Sequence, residues 1–378
     1  MLDSFADFNL HPELAKAVQA LGFYQPTPIQ QEAIPVALKG LDLIGGAQTG
    51  SGKTVAFSIP ILERILKHPE AVALILVPTR ELAEQVSEVL KDLTQFSPQI
   101  LVANLIGGLS MRPQVQLLTR KPQVIVATPG RMMDHLRRKN VKLSKLEVLI
   151  LDEADRMLDM GFADQLNEIL SFLPEKRQTM LFSATLPKHI IELSKKYLKE
   201  PVRVQVASTQ ETRPQIEQQS VQVPNARKNE TLLEQIGQRE GSILVFARTQ
   251  IRTTRITKYL KEYGFHCATI HGGRTQAQRK EALDRFRAGS VRVLIATDIA
   301  ARGLDISHVA HVINYDLPQD PADYVHRIGR TARAGRSGTA MSFVTPEEVR
   351  IWQKISRQFQ PQKPRESGQK GFRLLANV

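Results

Sequence analysis

A single cysteine and a single tryptophan stand among the 378 residues, and the apolar stretches are short. Each scarcity excludes something. Cys267 has no partner for an internal disulfide and no matched histidine, so it is expected to be a buried structural thiol rather than a nucleophile. Ala71 to Val77, among the longest apolar stretches, falls far short of the roughly 18 to 20 residues that span a bilayer. The first residues, "MLDSFADFNL", carry acids and no basic region, which does not fit a secretory signal; the cytoplasm is the expected address. Acids are scarce near the end. After Glu348 the one acid is Glu366, against Arg350, Lys354, Arg357, Lys363, Arg365, Lys370 and Arg373, and the stretch from about Pro361 is too polar and broken to fold alone.

What is plentiful is positive charge. A formal net charge of +13 favours polyanionic partners, nucleic acid or an acidic membrane face, without choosing between them. The length and a hydrophobic share of 42% suit two ordinary domains, each with its own core.

Short aliphatic runs alternate with helical patterns, the signature of βαβ units around parallel sheets. Strands are predicted at Leu41 to Ile44, Ala71 to Val77, Ile100 to Leu105, Gln123 to Ala127, Val148 to Leu151 and Thr179 to Phe182 in the first half. The second half offers Ser242 to Phe246, Cys267 to Ile270, Val291 to Ala296, His311 to Asn314 and Gly338 to Phe343. The halves rhyme: "LILVPTRELAEQ" (74 to 85) resembles "ILVFARTQIRTT" (243 to 254), and "VIVATPGR" (124 to 131) resembles "VLIATDIAARG" (293 to 303). Between them "ASTQETRP" (207 to 214) is polar, aperiodic and closed by Pro214, which reads as an exposed linker. The expected division is 1–206, linker 207–214, 215–360 and a basic tail 361–378.

"LIGGAQTGSGKT" (43 to 54) reads as a strand entering a glycine-rich turn and then a helix. Backbone N–H groups of such a turn, here through Gly50, Ser51 and Gly52, together with the helix start, cradle phosphate; Lys53 reaches the β/γ oxygens and Thr54 offers its hydroxyl to Mg²⁺. Ala47 stands where the general pattern has its first glycine. "VLILDEAD" (148 to 155) is an apolar run ending in clustered carboxylates. With a phosphate loop present, Asp152 at a strand end can hold the Mg²⁺ of a nucleotide triphosphate, and Glu153 can orient or deprotonate the attacking water. Hydrolysis of a nucleotide triphosphate is thus predicted before its purpose is.

The rest of the chain resembles the DEAD-box RNA helicases along almost its whole length, in order. "GFYQPTPIQ" (22 to 30), with Phe5 upstream, is similar to that family's Q motif, and the resemblance implies that Gln30 reads adenine and Phe5 packs against the base. "AQTGSGKT" (47 to 54) is similar to the family's own phosphate loop, Ala47 included. "PTRELAEQ" (78 to 85), "GG" (107 and 108) and "TPGR" (128 to 131) look like first-domain RNA contacts, through Pro78, Thr79, Gly108, Thr128 and Gly130, with Arg80 and Arg131 either meeting phosphate or bracing loops. "SAT" (183 to 185) resembles the motif that couples nucleotide state to RNA binding, through Ser183 and Thr185 towards Asp155. In the second half "VFARTQ", "HGGRTQAQR" and "TDIAARGLDI" match later motifs; the resemblance gives Arg248, Gly272, Gln276, Arg279, Thr297, Asp298 and Arg302 to RNA contact or its support, and Asp305 to the ribose. "HRIGRTARAGR" (326 to 336) follows the arginine-finger motif, giving Arg330 and Arg333 to the γ-phosphate, with Ala332 where many members have glycine.

The resemblance implies an α/β fold of two tandem RecA-like parallel-sheet domains on a flexible linker, an ATP-dependent RNA helicase with Mg²⁺, and closure of the domains as the step that completes the site. It also implies a monomer without membrane attachment, acting on single-stranded or short duplex RNA, with ribosomal precursors or RNA-decay proteins as further partners. A DNA translocase, an RNA clamp that rarely turns over and a peripheral membrane protein using the basic tail are the competing readings. The last lacks an apolar amphipathic partner face.

Overall fold

A computed structural model of the chain describes residues 3–47, 50–184, 186, 188–206, 216–301, 309–332 and 337–357. The expected linker 207–214 and tail 361–378 lie outside the described residues, as do Thr185, Arg302, Asp305 and Arg333.

Two parallel sheets organise the described residues. The first is built from β1 (Leu43–Gly46), β2 (Val72–Leu76), β3 (Val102–Leu105), β4 (Val124–Ala127), β5 (Leu146–Leu151), β6 (Gln178–Ser183) and β7 (Val202–Gln205), in the order β3-β4-β2-β5-β6-β1-β7. The second contains β8 (Ile216–Gln222), β9 (Ile243–Phe246), β10 (Cys267–Ile270), β11 (Val293–Ala296), β12 (His311–Asn314) and β13 (Gly338–Val344), in the order β10-β11-β9-β12-β13-β8. All pairings in both sheets are parallel.

The predicted aliphatic runs all form strands, because a parallel sheet covered by helices on both faces buries every residue of its central strands. In β2, Ala73 and Ile75 join one hydrophobic cluster and Leu74 and Leu76 the other. In β9, Ile243 and Val245 face one layer while Leu244 and Phe246 face its opposite. Each fully buried aliphatic side chain of this kind contributes about 1.5–3 kcal/mol. Gly45 is required by the same packing: a β-carbon there would come within 2.6 Å of the Phe182 ring, which is itself packed on Phe57.

Two strands were not legible as aliphatic runs. β7 is "VRVQ" and β8 is "IEQQSVQ", with mostly exposed residues. Both lie at sheet edges, where one side is open to water and an apolar run is not needed. Cys267 is buried as expected; its thiol points at the Thr257 carbonyl at 3.4 Å, and burial pushes its pKa up. Among the described residues no helix is long and apolar enough to cross a membrane.

Candidate nucleotide site and nucleic-acid interface

Strand order decides which loops are neighbours. In the first sheet β1, β6 and β5 are adjacent, and their carboxyl ends are level: Gly46 is opposite Ser183, and Leu151 opposite Leu181. The phosphate loop, Ser183 and Asp152 are thereby brought together at the carboxyl ends of these strands. On the other side of β5, strands β2, β4 and β3 end level with one another, Leu76 opposite Ala127 and Ala127 opposite Leu105. Their loops carry Pro78 and Thr79, Thr128 and Gly130, and Gly108. One domain top therefore holds a nucleotide side and a second side made of close-packed backbone.

On the nucleotide side, Gly50 and Gly52 have φ of 85° and 94°, the left-handed region that a tight phosphate turn requires. Gln48 and Thr49 lie outside the described residues. Lys53, at the helix start, is 7% exposed and donates to the Ala47 carbonyl at 2.6 Å. Burial pulls its pKa down, and Asp152, Glu153 and Asp155 push it back up. Among the described residues the buried Ser51 hydroxyl has no hydrogen-bond partner, an orphan polar group of the kind a phosphate oxygen satisfies. Gln30 accepts from the Thr27 N–H at 2.8 Å and donates to the Gly52 carbonyl at 3.1 Å, while the Thr27 hydroxyl donates to the Ser51 carbonyl at 2.8 Å. The Q motif is thus tied directly to the phosphate loop. Phe5 is buried, its ring 5.6 Å from Phe8 and 6.2 Å from Phe23.

Asp152 accepts from the Glu153 N–H at 2.9 Å, which fixes its carboxylate at the strand end. Burial raises its pKa to about 7, with Lys53 opposing and Glu153 reinforcing the shift. Such a carboxyl gains from any further cation brought to it. Glu153 has φ 50°, a left-handed conformation uncommon outside glycine and asparagine, and caps the short helix Ala154–Asp159. Asp155 accepts from the Arg156 N–H at 3.0 Å.

On the second side, Arg80 packs close to Gly107 and Gly108, and a β-carbon at Gly108, whose φ is 77°, would collide with its guanidinium. Arg131 donates to the Leu109 carbonyl at 3.0 Å. Both side chains touch these loops. Thr79 accepts from the Leu82 N–H at 3.3 Å and so starts the helix Arg80–Leu93.

In the second sheet β10, β11 and β9 are adjacent with level ends, Ile270 opposite Ala296 and Ala296 opposite Phe246. Gly272, Thr297, Asp298 and Arg248 follow these ends. Arg248 donates to Glu348 at 2.7 Å, and its N–H to Asp316 at 3.0 Å. Asp298 takes a two-pronged contact from Arg327, with Nη2 to Oδ2 at 2.7 Å. Arg330 is 2% exposed in a small cleft with Phe246, Asp298, His326 and Arg327. Ala332 has φ 56°, the conformation that glycine adopts without penalty, at a cost of about 1–2 kcal/mol for alanine.

Gln276 and Arg279 reach across to the first domain rather than into open groove. Gln276 donates to Glu84 at 3.1 Å, and Arg279 pairs with Glu81 at 2.7 Å with both side chains buried. Burial pulls the Arg279 pKa down and raises that of Glu84. Arg279→Ala is expected to weaken ATP-dependent RNA binding about 10-fold, in the range of ordinary coupling energies, with ADP-state affinity unchanged; fluorescence anisotropy with each nucleotide reads both.

Reasoning from sequence did not single out Arg156, Lys228, Asp316 or Arg327, all buried at 3% exposure or less. Charged residues in helical patterns read as solvated faces, and only the three-dimensional partners reveal them.

Two sheets of like construction, one carrying a phosphate loop beside a carboxylate cluster and the other latched to it by charged side chains, define a nucleotide-driven helicase core. The family model described as DEAD/DEAH box helicase matches residues 27–193, and that of the helicase conserved C-terminal domain matches 227–335. The chain belongs to the DEAD-box ATP-dependent RNA helicases, enzymes that hydrolyse ATP to unwind and remodel RNA. It is 44% identical over 359 residues to the DEAD-box ATP-dependent RNA helicase CshA of Bacillus subtilis, covering 94% of this chain and 72% of that protein. It is 46% identical over 356 residues to the ATP-dependent rRNA helicase rrp3 of Sclerotinia sclerotiorum, covering 93% and 74%. The structure of Saccharomyces cerevisiae Dbp5 bound to RNA and ADP BeF3 matches with a TM-score of 0.84 at 35% identity, covering 95% of this chain and 94% of that one.

Proposed function

We propose that this chain divides the helicase reaction between its two domain tops. ATP lies along the ends of β1, β6 and β5, with Gly50, Ser51, Gly52 and Lys53 on its phosphates, Gln30 and Phe5 at the base and Asp305 at the ribose. RNA lies along the other loops, touched through sugar and phosphate, which explains indifference to base sequence. The observation that carries this reading is the strand order β3-β4-β2-β5-β6-β1, which sets the nucleotide loops, after β5, β6 and β1, to one side of the backbone-rich loops, after β2, β4 and β3, on a single sheet.

Mg²⁺ fits the residues present. The Asp152 carboxylate is a hard oxygen donor fixed at the end of β5 close to Lys53 of the phosphate loop, which suits an ion that keeps its waters and takes most other ligands from phosphate. Asp152 and Thr54 would hold it, where it would neutralise charge developing on the phosphates. Glu153 orients the attacking water and accepts its proton. Arg330 and Arg333 offset charge on the γ-phosphate once the domains close, and Ser183, Thr185 and Asp155 relay that state to the RNA loops. The likeness to Dbp5 bound to RNA and ADP BeF3 supports joint binding of RNA and nucleotide by the chain. Thr297, Gly272 and Arg302 complete the RNA track. The protein is read as a cytoplasmic monomer acting on single-stranded or short duplex RNA, with ribosomal precursors or RNA-decay proteins as further partners.

Steady-state ATP hydrolysis, measured without nucleic acid, with single-stranded RNA and with matched DNA, tests the proposal. Stimulation by RNA alone is expected, because contacts at the 2′-hydroxyl discriminate the two. Equal stimulation by DNA would mean a general nucleic-acid translocase, and ATP-dependent RNA capture without turnover would mean a clamp.

A further inference from the structure

Three buried carboxylates and two buried cations meet where β5 ends: Asp152, Glu153 and Asp155 at 3%, 4% and 4% exposure, with Lys53 at 7% and Arg156 at 3%. Lys53 belongs to the phosphate loop. Arg156 lies outside that loop. It lies in the first turn of the short helix Ala154–Asp159, three residues after Glu153, so its side chain returns towards the residue that caps that helix. Its Nη1 is 3.4 Å from Glu153 Oε2, with both side chains almost wholly enclosed. Neither atom has a hydrogen-bond partner among the described residues.

That geometry is informative in two ways. A buried carboxylate beside Asp152 and Asp155 is repelled from its place unless a cation offsets the crowding, and Arg156 is the cation on its own side of the helix start. Had the pair closed into a two-pronged guanidinium–carboxylate contact, both oxygens of Glu153 would have been consumed. Held by charge without a hydrogen bond, Glu153 keeps lone pairs for a water molecule. The backbone adds a reason for the arrangement: at φ 50° Glu153 sits in a conformation that relaxes readily unless its side chain is anchored.

We propose that Arg156 is a positioning residue for hydrolysis, holding Glu153 aimed without tying up the oxygen that meets the attacking water. The inference rests on the reading of Glu153 given above. In the step it serves, the water oxygen forms a bond to the γ-phosphorus as the bond from that phosphorus to the β–γ bridging oxygen breaks. ADP leaves with that electron pair, and the water's proton passes to Glu153.

The test compares Arg156→Ala, Arg156→Lys, Glu153→Gln and the double variant Arg156→Ala/Glu153→Gln in RNA-stimulated hydrolysis, ATP titration and RNA binding with a non-hydrolysable ATP analogue. Arg156→Ala is expected to lower kcat about 10- to 100-fold, the scale of a misplaced catalytic group, while KM for ATP and RNA affinity stay within about threefold. Arg156→Lys, which restores a cation, should recover most of the loss. The double variant should be no slower than Glu153→Gln alone, because a positioning residue has nothing left to position. An unchanged kcat in Arg156→Ala overturns the proposal. So does a parallel loss of ATP and RNA binding, a lysine variant as slow as alanine, or the same fold-loss repeated in the Glu153→Gln background. If Glu153→Gln itself turns over like the parent while Arg156→Ala does not, the role given to Glu153 fails instead, and Arg156 acts on another group.

Discussion

Glu153→Gln is expected to lower RNA-stimulated ATP hydrolysis by about 10²- to 10⁴-fold, the range for a positioned general base, while ATP-dependent RNA capture stays within severalfold of the parent. The asymmetry follows from where the side chain stands. Among the described residues, the side-chain pairs Arg279 to Glu81 and Gln276 to Glu84 join the domains, and Glu153 belongs to neither. Nor is it part of the phosphate turn, whose fixed contacts are Lys53 to Ala47, Gln30 to Gly52 and Thr27 to Ser51. Glutamine preserves its volume and one carbonyl oxygen, so the closed state can assemble with water in place and no group to take the proton. Single-turnover hydrolysis beside anisotropy with ATP reads both halves. Joint loss of binding and hydrolysis would assign Glu153 to assembly of the closed state rather than to the water.

How far the sequence alone reached depended on the kind of signal each residue left. Asp152 was legible because an apolar strand running into acids is a poor way to close a core, and it duly stands at the end of β5 with its pKa raised by burial. The sheets were legible because central parallel strands are apolar throughout, whereas β7 and β8, at the edges, kept the composition of loops. Ala332 was legible as a departure from glycine, and its φ of 56° gives the departure a physical meaning. Gln276 and Arg279 were given to RNA contact or its support by resemblance, and their partners lie in the other domain, Glu84 being 192 residues away from Gln276. No local pattern encodes such a pairing. Arg156 left no signal either, since an i,i+3 acid–base pair at a helix start is ordinary on exposed surfaces and becomes unusual only through its burial.

The largest effect on stability is expected at Lys228, which opens the helix Lys228–Gly237 in a sequence, "KNETLLEQ", that reads as a solvated helix start. It is 1% exposed. Its ammonium lies 3.0 Å from Asp316 Oδ1 and 3.5 Å from Glu348 Oε2, with the Tyr315 ring centroid at 5.2 Å. Asp316 also takes Arg252 at 2.7 Å and the Arg248 N–H at 3.0 Å, and Glu348 takes Arg248 at 2.7 Å. Lys228→Met keeps the aliphatic stem and removes the charge, leaving two enclosed carboxylates with one cation fewer. Breaking a buried pair from one side costs about 3–5 kcal/mol, and the lower end applies here because an arginine remains on each acid. At roughly 2–4 °C per kcal/mol for a domain of this size, calorimetry should find the transition of the second-sheet domain about 6–12 °C lower, with that of the first domain in place. RNA binding should weaken with it even below that transition, because the Arg248 backbone hangs on Asp316 and the loop after β9 loses its anchor. A shift under about 2 °C would mean that desolvation already cancels the attraction within the cluster, leaving Arg252 and Arg248 sufficient to hold the loop.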